Sequence, residues 1–296
     1  MDQKLAIVIP FFKIDFFEDT LKSLANQTNP NFNVYIGNDA SAADPHDLIQ
    51  KYNINHNIFY TKFAENLGGK GQLVEQWERC IALSKNEEWL MILADDDYIA
   101  DNFVEEFYKV SEVAAKQNSE LMRFKMRRVA EDGAFLIDLE QPERYKAEDY
   151  IWDDLEQKMF ISISENVFSR KMYDLKGFRR YPLAWKTDLM IYLDFANNQP
   201  ILGVNSTFVA IRRSNQQITR RTDLTDHKQI ALGQYYYDVL NEFTSLFKDY
   251  QNLKFLKLYT FYAKENHLSA SLSSLYYKYG GVKELLKYRI KSIFNI

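Results

Sequence analysis

One cysteine, Cys80, stands in the whole sequence, so an internal disulfide is excluded and a reducing compartment fits. The histidines, His46, His56, His227 and His267, show no ligand spacing with it or with one another, which argues against a zinc site. Charge of one sign is also missing. A net charge of -4 and a pI near 5.7 give no global reason to bind nucleic acid, so any nucleotide recognition must be local. No window approaches the roughly 20 apolar residues that a membrane-spanning helix needs. Leu5 to Ile9 is apolar but short, stops at Pro10, and has neither a basic leader nor a small-residue cleavage site; it reads as a first strand rather than a signal peptide. Internal repeats and low-complexity linkers are absent as well. A soluble, cytoplasmic protein is expected.

Hydrophobic residues make up 46% of the chain, enough for a substantial core, and 20 Tyr and 21 Phe serve mainly to fill it. The first third alternates short apolar runs with segments of helical period, as parallel βαβ units do. Strands are predicted at Leu5 to Ile9, Val34 to Ile36, Ile58 to Tyr60 and Trp89 to Leu93. Asp15 with Glu18 reads as a capping box ahead of Phe17, Leu21 and Leu24 at helical spacing. Asn66-Leu67-Gly68-Gly69-Lys70-Gly71 is a glycine-rich loop before a helix carrying Leu73, Trp77 and Ile81. Asp101 or Asn102 is placed to cap the next helix. Further strands are predicted at Leu121 to Val129, Ile161 to Phe168 and Ile201 to Ile211, with a charged, irregular stretch from Glu131 to Asp154 and a helix starting at Thr187. From about Asp226 the pattern is helical.

Asp95, Asp96 and Asp97 close the run Trp89-Leu90-Met91-Ile92-Leu93, and this is the most informative feature of the chain. An apolar strand that stops on carboxylates sets negative charge at the carboxyl edge of a sheet, where open α/β folds bind ligands. Such a cluster needs a counter-ion. Oxygen ligands on a short turn suit Mg²⁺ or Mn²⁺, which can hold nucleotide phosphates in turn. The plain alternative is a solvated acidic turn.

Ile7-Val8-Ile9-Pro10-Phe11-Phe12, Ile36-Gly37-Asn38-Asp39-Ala40-Ser41 and Asp95-Asp96-Asp97-Tyr98 occur in that order, together with Leu21 to Thr28 and Asn66-Leu67-Gly68. As an ordered set they resemble the family 2 glycosyltransferases of the GT-A fold, well over residues 4 to about 110 and more weakly from Val167 to Thr219. The resemblance implies an α/β fold with a Rossmann-like, mostly parallel sheet flanked by helices, and a helical C-terminal extension. It divides the chain into a glycosyltransferase domain at 1–225, with a nucleotide-binding half at 1–118 and an acceptor half at 119–225, and an extension at 226–296. It implies a donor site at Pro10, Phe11, Phe12, Asp39, Asn66, Gly68, Asp95 and Asp96, and a divalent metal held by Asp97 and Asp95. Asn38 stands where the family's second strand usually has an acid. Asp188, in Trp185-Lys186-Thr187-Asp188-Leu189, matches the general base of an inverting transfer. A helix N-terminus favours its ionised form. Trp185, Arg213 and Arg220 are candidates for acceptor or diphosphate contacts, with a core Trp and a solvated basic loop as alternatives.

The expected activity is therefore transfer of one sugar from a nucleotide diphosphate donor, UDP-linked by the resemblance, onto a glycan or lipid-linked saccharide, in bacterial surface polysaccharide synthesis. Two rivals remain. A sugar nucleotidyltransferase usually carries a glycine-rich phosphate loop after its first strand, where this chain has Pro10-Phe11-Phe12-Lys13. A catalytically silent nucleotide-sugar-binding subunit would have lost the acids. At the C-terminus Val282, Leu285, Leu286, Ile290 and Ile293 share one helical face, with Lys283, Lys287 and Lys291 at its border or opposite it and Arg289 within the apolar arc, from which it would have to snorkel; the pattern fits either packing on protein or peripheral contact at the inner face of a membrane.

Overall fold

The computed structural model describes residues 3–53, 57–213, 222–263 and 267–294. The chain divides into two compact units: residues 1–180 with 187–221, and residues 181–186 with 222–296.

The first unit is built on one mixed sheet. Four parallel strands open it, β1 (Leu5–Phe11), β2 (Phe32–Asn38), β3 (Ile58–Lys62) and β4 (Trp89–Ile92), in the spatial order β3-β2-β1-β4. β1 and β4 read as continuous apolar runs because helices cover both faces of a parallel sheet, and Leu5 to Ile9 and Leu90 to Met91 are fully buried. The helices are α1 (Phe17–Ala25), α2 (His46–Tyr52), α3 (Leu73–Ile81), which packs on β1 and β2, and α4 (Phe103–Gln117). Beyond β4 the sheet continues through β9 (Asn166–Ser169), β6 (Leu121–Val129), β10 (Ile201–Arg212) and the two-residue β5 (Tyr98–Ile99). β9 runs antiparallel to both β4 and β6, whereas β6 and β10 are parallel. The stretch expected to be irregular forms β7 (Phe135–Leu139), β8 (Arg144–Tyr145) and α5 (Ala147–Leu155), followed by α6 (Arg170–Lys176) and α7 (Thr187–Phe195).

Three local expectations are corrected. α1 starts at Phe17 with Phe16 at its N-cap and no side-chain cap; Glu18 instead accepts from Lys51 and Tyr52. Asn102 does occupy the N-cap of α4, but its side chain bonds Thr207 and Ser206 rather than the helix amides. The strand expected at Ile161 to Phe168 begins only at Asn166. Ser162, Ser164 and Glu165 turn their polar groups inward, and that requires a turn rather than extended chain.

The second unit contains a 3-10 turn at Pro182–Ala184 and the helices α8 (Thr225–Glu242), α9 (Asp249–Tyr262) and α10 (Leu272–Phe294). Aromatic rings form much of its interior, with Tyr236 against Phe255 and Tyr262, and Phe247 against Phe255. Among the described residues no helix is long and apolar enough to cross a membrane.

Candidate active site

The carboxyl ends of β1, β2 and β4 are tied to one another through named side chains. At β1, Phe11 is buried against Phe17 while Phe12 is 44% exposed. The amides of Phe12 and Lys13 both donate to Asp95 Oδ2, each at 2.7 Å. At β2, the Asp39 amide donates to Phe11 O, and Ser41 Oγ donates to Phe12 O at 2.6 Å. Asn38 closes that turn by accepting from the Ser41 amide. A strand end that could fray is thus held as one rigid edge.

Asp39 is 4% exposed, and its carboxylate clips the glycine-rich loop: Oδ1 accepts from the Leu67 amide at 2.7 Å and from Arg79, and Oδ2 accepts from the Gly68 amide at 2.9 Å. A Cβ on Gly68 would sit 2.9 Å from Asp39 Oδ2, so glycine is what allows this approach. Asn66 Oδ1 accepts from the Gly69 amide in the same loop. Arg79, whose guanidinium also lies 4.0 Å from the Phe63 ring centroid, carries no motif that sequence reasoning could have used.

The acid turn is gripped from three sides. Thr20 Oγ1 donates to the carbonyls of Asp95 (3.1 Å) and Asp97 (2.7 Å). Ser164 Oγ, fully buried, donates to Asp97 Oδ2 at 2.7 Å and accepts from the Ala94 amide at 3.1 Å. Arg212 closes the third side. Its amide donates to Asp97 Oδ1 at 3.0 Å, and its guanidinium reaches the carbonyls of Asp96 and Glu131 and the Asp19 carboxylate. This arginine is 1% exposed and stacks on Phe16.

The three acids therefore differ. Asp97 has both oxygens engaged. Asp95 has Oδ1 without a hydrogen bond among the described residues, and Asp96 accepts from nothing there beyond its own amide. Burial, then the neighbouring Asp96 charge, pushes the Asp95 carboxyl up to about 6 against the pull of the Lys13 and Phe12 amides. Burial raises Asp96 too, partly offset by Lys13 and Arg212. Asp97 is held well above the usual carboxylate range by burial and by Asp96. Crowded acids of this kind favour a cation beside them.

Among the described residues no three His, Cys, Asp or Glu side chains converge on one point as a metal cage. That still suits Mg²⁺ or Mn²⁺, which is held in nucleotide sites by one or two carboxylates, with substrate phosphates and water completing the shell. Asp96 and the free oxygen of Asp95 are the groups with capacity for it; Asp97 would contribute through oxygens that already carry hydrogen bonds.

Asp188 lies in the first turn of α7, half-buried, with Oδ1 accepting from the Leu189 amide at 2.9 Å. Thr187 Oγ1, donating to Arg179 O, and the bidentate Arg179–Asp194 pair fix the ends of this helix. Its middle is fixed by Tyr192, whose hydroxyl donates to Asn166 Oδ1 at 2.9 Å and whose ring stacks on Tyr150. Three consecutive residues now gain a shared meaning. Ser164 holds the acid turn, Glu165 holds the buried Arg123 of β6, and Asn166 holds α7. The run Ser-Glu-Asn inside an apolar stretch was the available sequence signal for this junction.

The other candidates separate from this group. Arg213 is exposed, with its amide donating to Val129 O; Arg220 lies outside the described residues. Trp185 belongs to the second unit, where Lys228 lies 4.8 Å from its ring centroid and its buried indole N–H has no hydrogen-bond partner among the described residues. The segment leading into α7 is strained: Leu183, Ala184 and Lys186 all have positive φ, at 61°, 53° and 74°. Such a cluster of non-glycine residues costs about 1–3 kcal/mol each and is typical of segments under functional constraint.

Residues 6–117 match the family described as glycosyl transferase family 2. No curated protein matches the sequence. Among solved structures, S. aureus TarS 1-349 in complex with UDP is 16% identical, with a TM-score of 0.63 over 96% of this chain and 80% of that one. The same protein in complex with UDP-GlcNAc is 15% identical, with a TM-score of 0.64 over 93% of this chain and 80% of that one. GalNAc-T7 with UDP, GalNAc and Mn²⁺ is 11% identical, with a TM-score of 0.61 over 98% of this chain and 57% of that one. At these identities the likeness establishes the fold, that of the GT-A glycosyltransferases.

Proposed function

We propose that this protein, a GT-A fold that matches glycosyl transferase family 2 over residues 6–117, is an inverting glycosyltransferase using a UDP-linked sugar. The observation that carries the reading is the edge at which β1, β2 and β4 end. Their termini are cross-linked by Asp95, Ser41 and Asp39, and a turn of three raised-pKa acids sits there where open α/β sheets take ligands. The structures of TarS with UDP and with UDP-GlcNAc support the choice of donor.

In this reading residues 1–118 bind the donor, across Pro10, Phe11, Phe12, Asp39, Asn66 and Gly68, and residues 119–225 receive the acceptor. Phe12 offers an exposed ring at the nucleotide edge. Asp95, Asp96 and Asp97 would hold Mg²⁺ or Mn²⁺, and the GalNAc-T7 structure with Mn²⁺ supports this. When bound, the ion supplies positive charge that stabilises a departing diphosphate. Asp188 takes the proton of the acceptor hydroxyl, whose oxygen bonds the anomeric carbon as the bond to the diphosphate oxygen breaks. Arg213 and Arg220 would meet phosphate oxygens, and Trp185 the acceptor. The acceptor is a glycan or lipid-linked saccharide, and a setting in bacterial surface polysaccharide synthesis rests on family analogy. Peripheral contact at the inner face of the membrane, through the C-terminal helix, belongs to the same reading.

Titration calorimetry of UDP in Mn²⁺ and in EDTA tests it. Tight binding with Mn²⁺ and loss in EDTA is expected. Equal affinity in both would remove the metal role of Asp95 and Asp97, and no binding in either would overturn the donor assignment.

A further inference from the structure

The C-terminal part of α10 leaves an apolar stripe facing solvent. Helix α10 is broken at Gly281, whose φ of 67° and ψ of -167° lie outside helical space, so the segment from Val282 onward takes its own direction. At about 100° per residue, Val282, Leu286, Ile290 and Ile293 fall within one narrow arc. They are 60%, 53%, 55% and 75% exposed. The opposite face is the one that packs. Glu284 accepts from Lys257 of α9 at 2.6 Å and from Lys287 at 2.7 Å, and the Tyr288 ring stacks on Tyr276 at 4.5 Å. Packing within the unit therefore selects the polar and aromatic side of the segment and turns its aliphatic side outward.

Charge says what covers that side. The segment carries Lys283, Lys287, Arg289 and Lys291 against the single acid Glu284, in a chain whose net charge is -4. Glu284 is turned inward and engaged by two lysines, so its charge is not presented outward. Arg289 flanks the stripe on one side and Lys283 on the other, and all four cations are exposed. An aliphatic strip with cations along its borders matches the boundary between acyl chains and anionic headgroups, where the strip enters the hydrocarbon edge and long basic side chains reach back to phosphate. A second protein copy would bring the same cations against themselves.

We infer that the outer face of α10 from Val282 to Ile293 is a docking surface for an anionic phospholipid membrane, on which the helix lies parallel to the bilayer plane. If the enzyme acts on lipid-linked saccharide, as proposed above, this face brings it to the two-dimensional surface that holds its acceptor. The lipid contact deepens the peripheral-membrane part of that reading and does not depend on its donor or base assignments.

Flotation of the full chain with vesicles of phosphatidylglycerol and phosphatidylcholine in equal parts tests the inference, with phosphatidylcholine alone as comparison. Cofloating with the anionic vesicles at low salt is expected, and the bound fraction should fall with added salt. The double variant Leu286→Asp/Ile290→Asp, at exposed positions, should lower the vesicle partition coefficient by at least about tenfold. Lys283→Glu with Arg289→Glu should lower it by roughly fivefold or more for each cation removed, on anionic vesicles only. Retention of the wild-type chain in the soluble fraction, or binding unaffected by the Asp pair, overturns the inference. So does a dimer in light scattering that the Asp pair dissociates without vesicles present, since a second copy would then own the face. UDP calorimetry keeps the donor site separate: the variants should bind UDP as the wild-type chain does, and a wild-type chain that binds UDP but no vesicles sinks the membrane surface alone.

Discussion

Replacing Ser164 by alanine should show whether the acid turn is held in the way its contacts imply. The side chain is fully buried and joins two groups, accepting from the Ala94 amide and donating to Asp97 Oδ2. Ser164→Ala removes one oxygen, so packing changes little; the cost lies in two buried polar groups that each lose a partner. At about 1–3 kcal/mol for each such group, with the carboxylate toward the upper end, a loss of about 3 kcal/mol is expected. Asp97→Asn keeps shape and removes charge. Its amide oxygen can still accept from the Arg212 amide and its NH₂ can donate to Ser164 Oγ, so the single change should cost about 1 kcal/mol or less. In that background Ser164→Ala orphans the Ala94 amide and a neutral NH₂ in place of a carboxylate oxygen, which costs less. The double-mutant cycle should therefore return a coupling of about 1–2 kcal/mol. Urea unfolding followed by tryptophan fluorescence reads this, because Trp77, Trp89 and Trp152 all report on the sheet unit. Additive losses, with coupling under about 0.5 kcal/mol, would mean that the hydroxyl and the carboxylate do not act on one another. A functional readout should follow: Ser164→Ala is expected to weaken UDP–Mn²⁺ binding by loosening the turn, without touching the donor directly.

Asp188→Asn keeps an oxygen for the Leu189 amide while removing basicity, so turnover should fall by roughly 10² or more with UDP affinity unchanged; near-normal turnover would eliminate Asp188 as the base. Glu87 is 3% exposed; burial pushes its carboxyl up, but hydrogen bonds from Tyr35 and Asn33 outweigh this and leave it below the usual range. A lowered folded-state pKa gives stability that is present above the unfolded value, about 4.3, and lost as pH falls through the folded value. Glu87→Gln should then be less stable than wild type near pH 7, with the difference shrinking toward pH 3; a constant difference across that range would refute the linkage. Gly203→Ala would place its Cβ 2.0 Å from Pro142 O, a backbone atom that cannot step aside, so a loss of about 3 kcal/mol in urea unfolding is expected, and a neutral result would show that β10 and the Gln141–Pro142 segment ahead of β8 are not packed this closely.

The nucleotide half was legible because its signals are local. The parallel strands β1, β2 and β4 are buried on both faces, so they read as apolar runs, and Pro10, Gly37 and Asp95 lie at or just beyond their carboxyl ends. The acid turn declared itself as three adjacent carboxylates. Its supports did not, since Ser164, Arg212 and Thr20 lie 67, 115 and 77 residues from Asp97 and are ordinary residues until the fold brings them in. The stretch from Glu131 to Asp154 hid β7 for a different reason. Phe135, Leu136 and Ile137 are all exposed, so the strand lacks the buried alternation that marks one, and only its pairing with β6 makes it a strand.

The misreading of Ile161 to Phe168 is the most instructive, because the pattern Ile-Ser-Ile-Ser has the alternation of a half-buried strand. Alternation reports which side chains are apolar and leaves open where the polar ones must go. Here Ser164, Glu165 and Asn166 are all fully buried, and each has a partner in a different element: Asp97 in the acid turn, Arg123 in β6 and Tyr192 in α7. A strand sends successive side chains to opposite faces, and no strand could direct three consecutive polar groups to three such partners. A turn that runs into the first residue of β9 does so, and it ties the acid turn and the helix of Asp188 to one short piece of backbone. Disturbing that piece should therefore change donor binding and turnover together, whereas Asp188→Asn should change turnover alone.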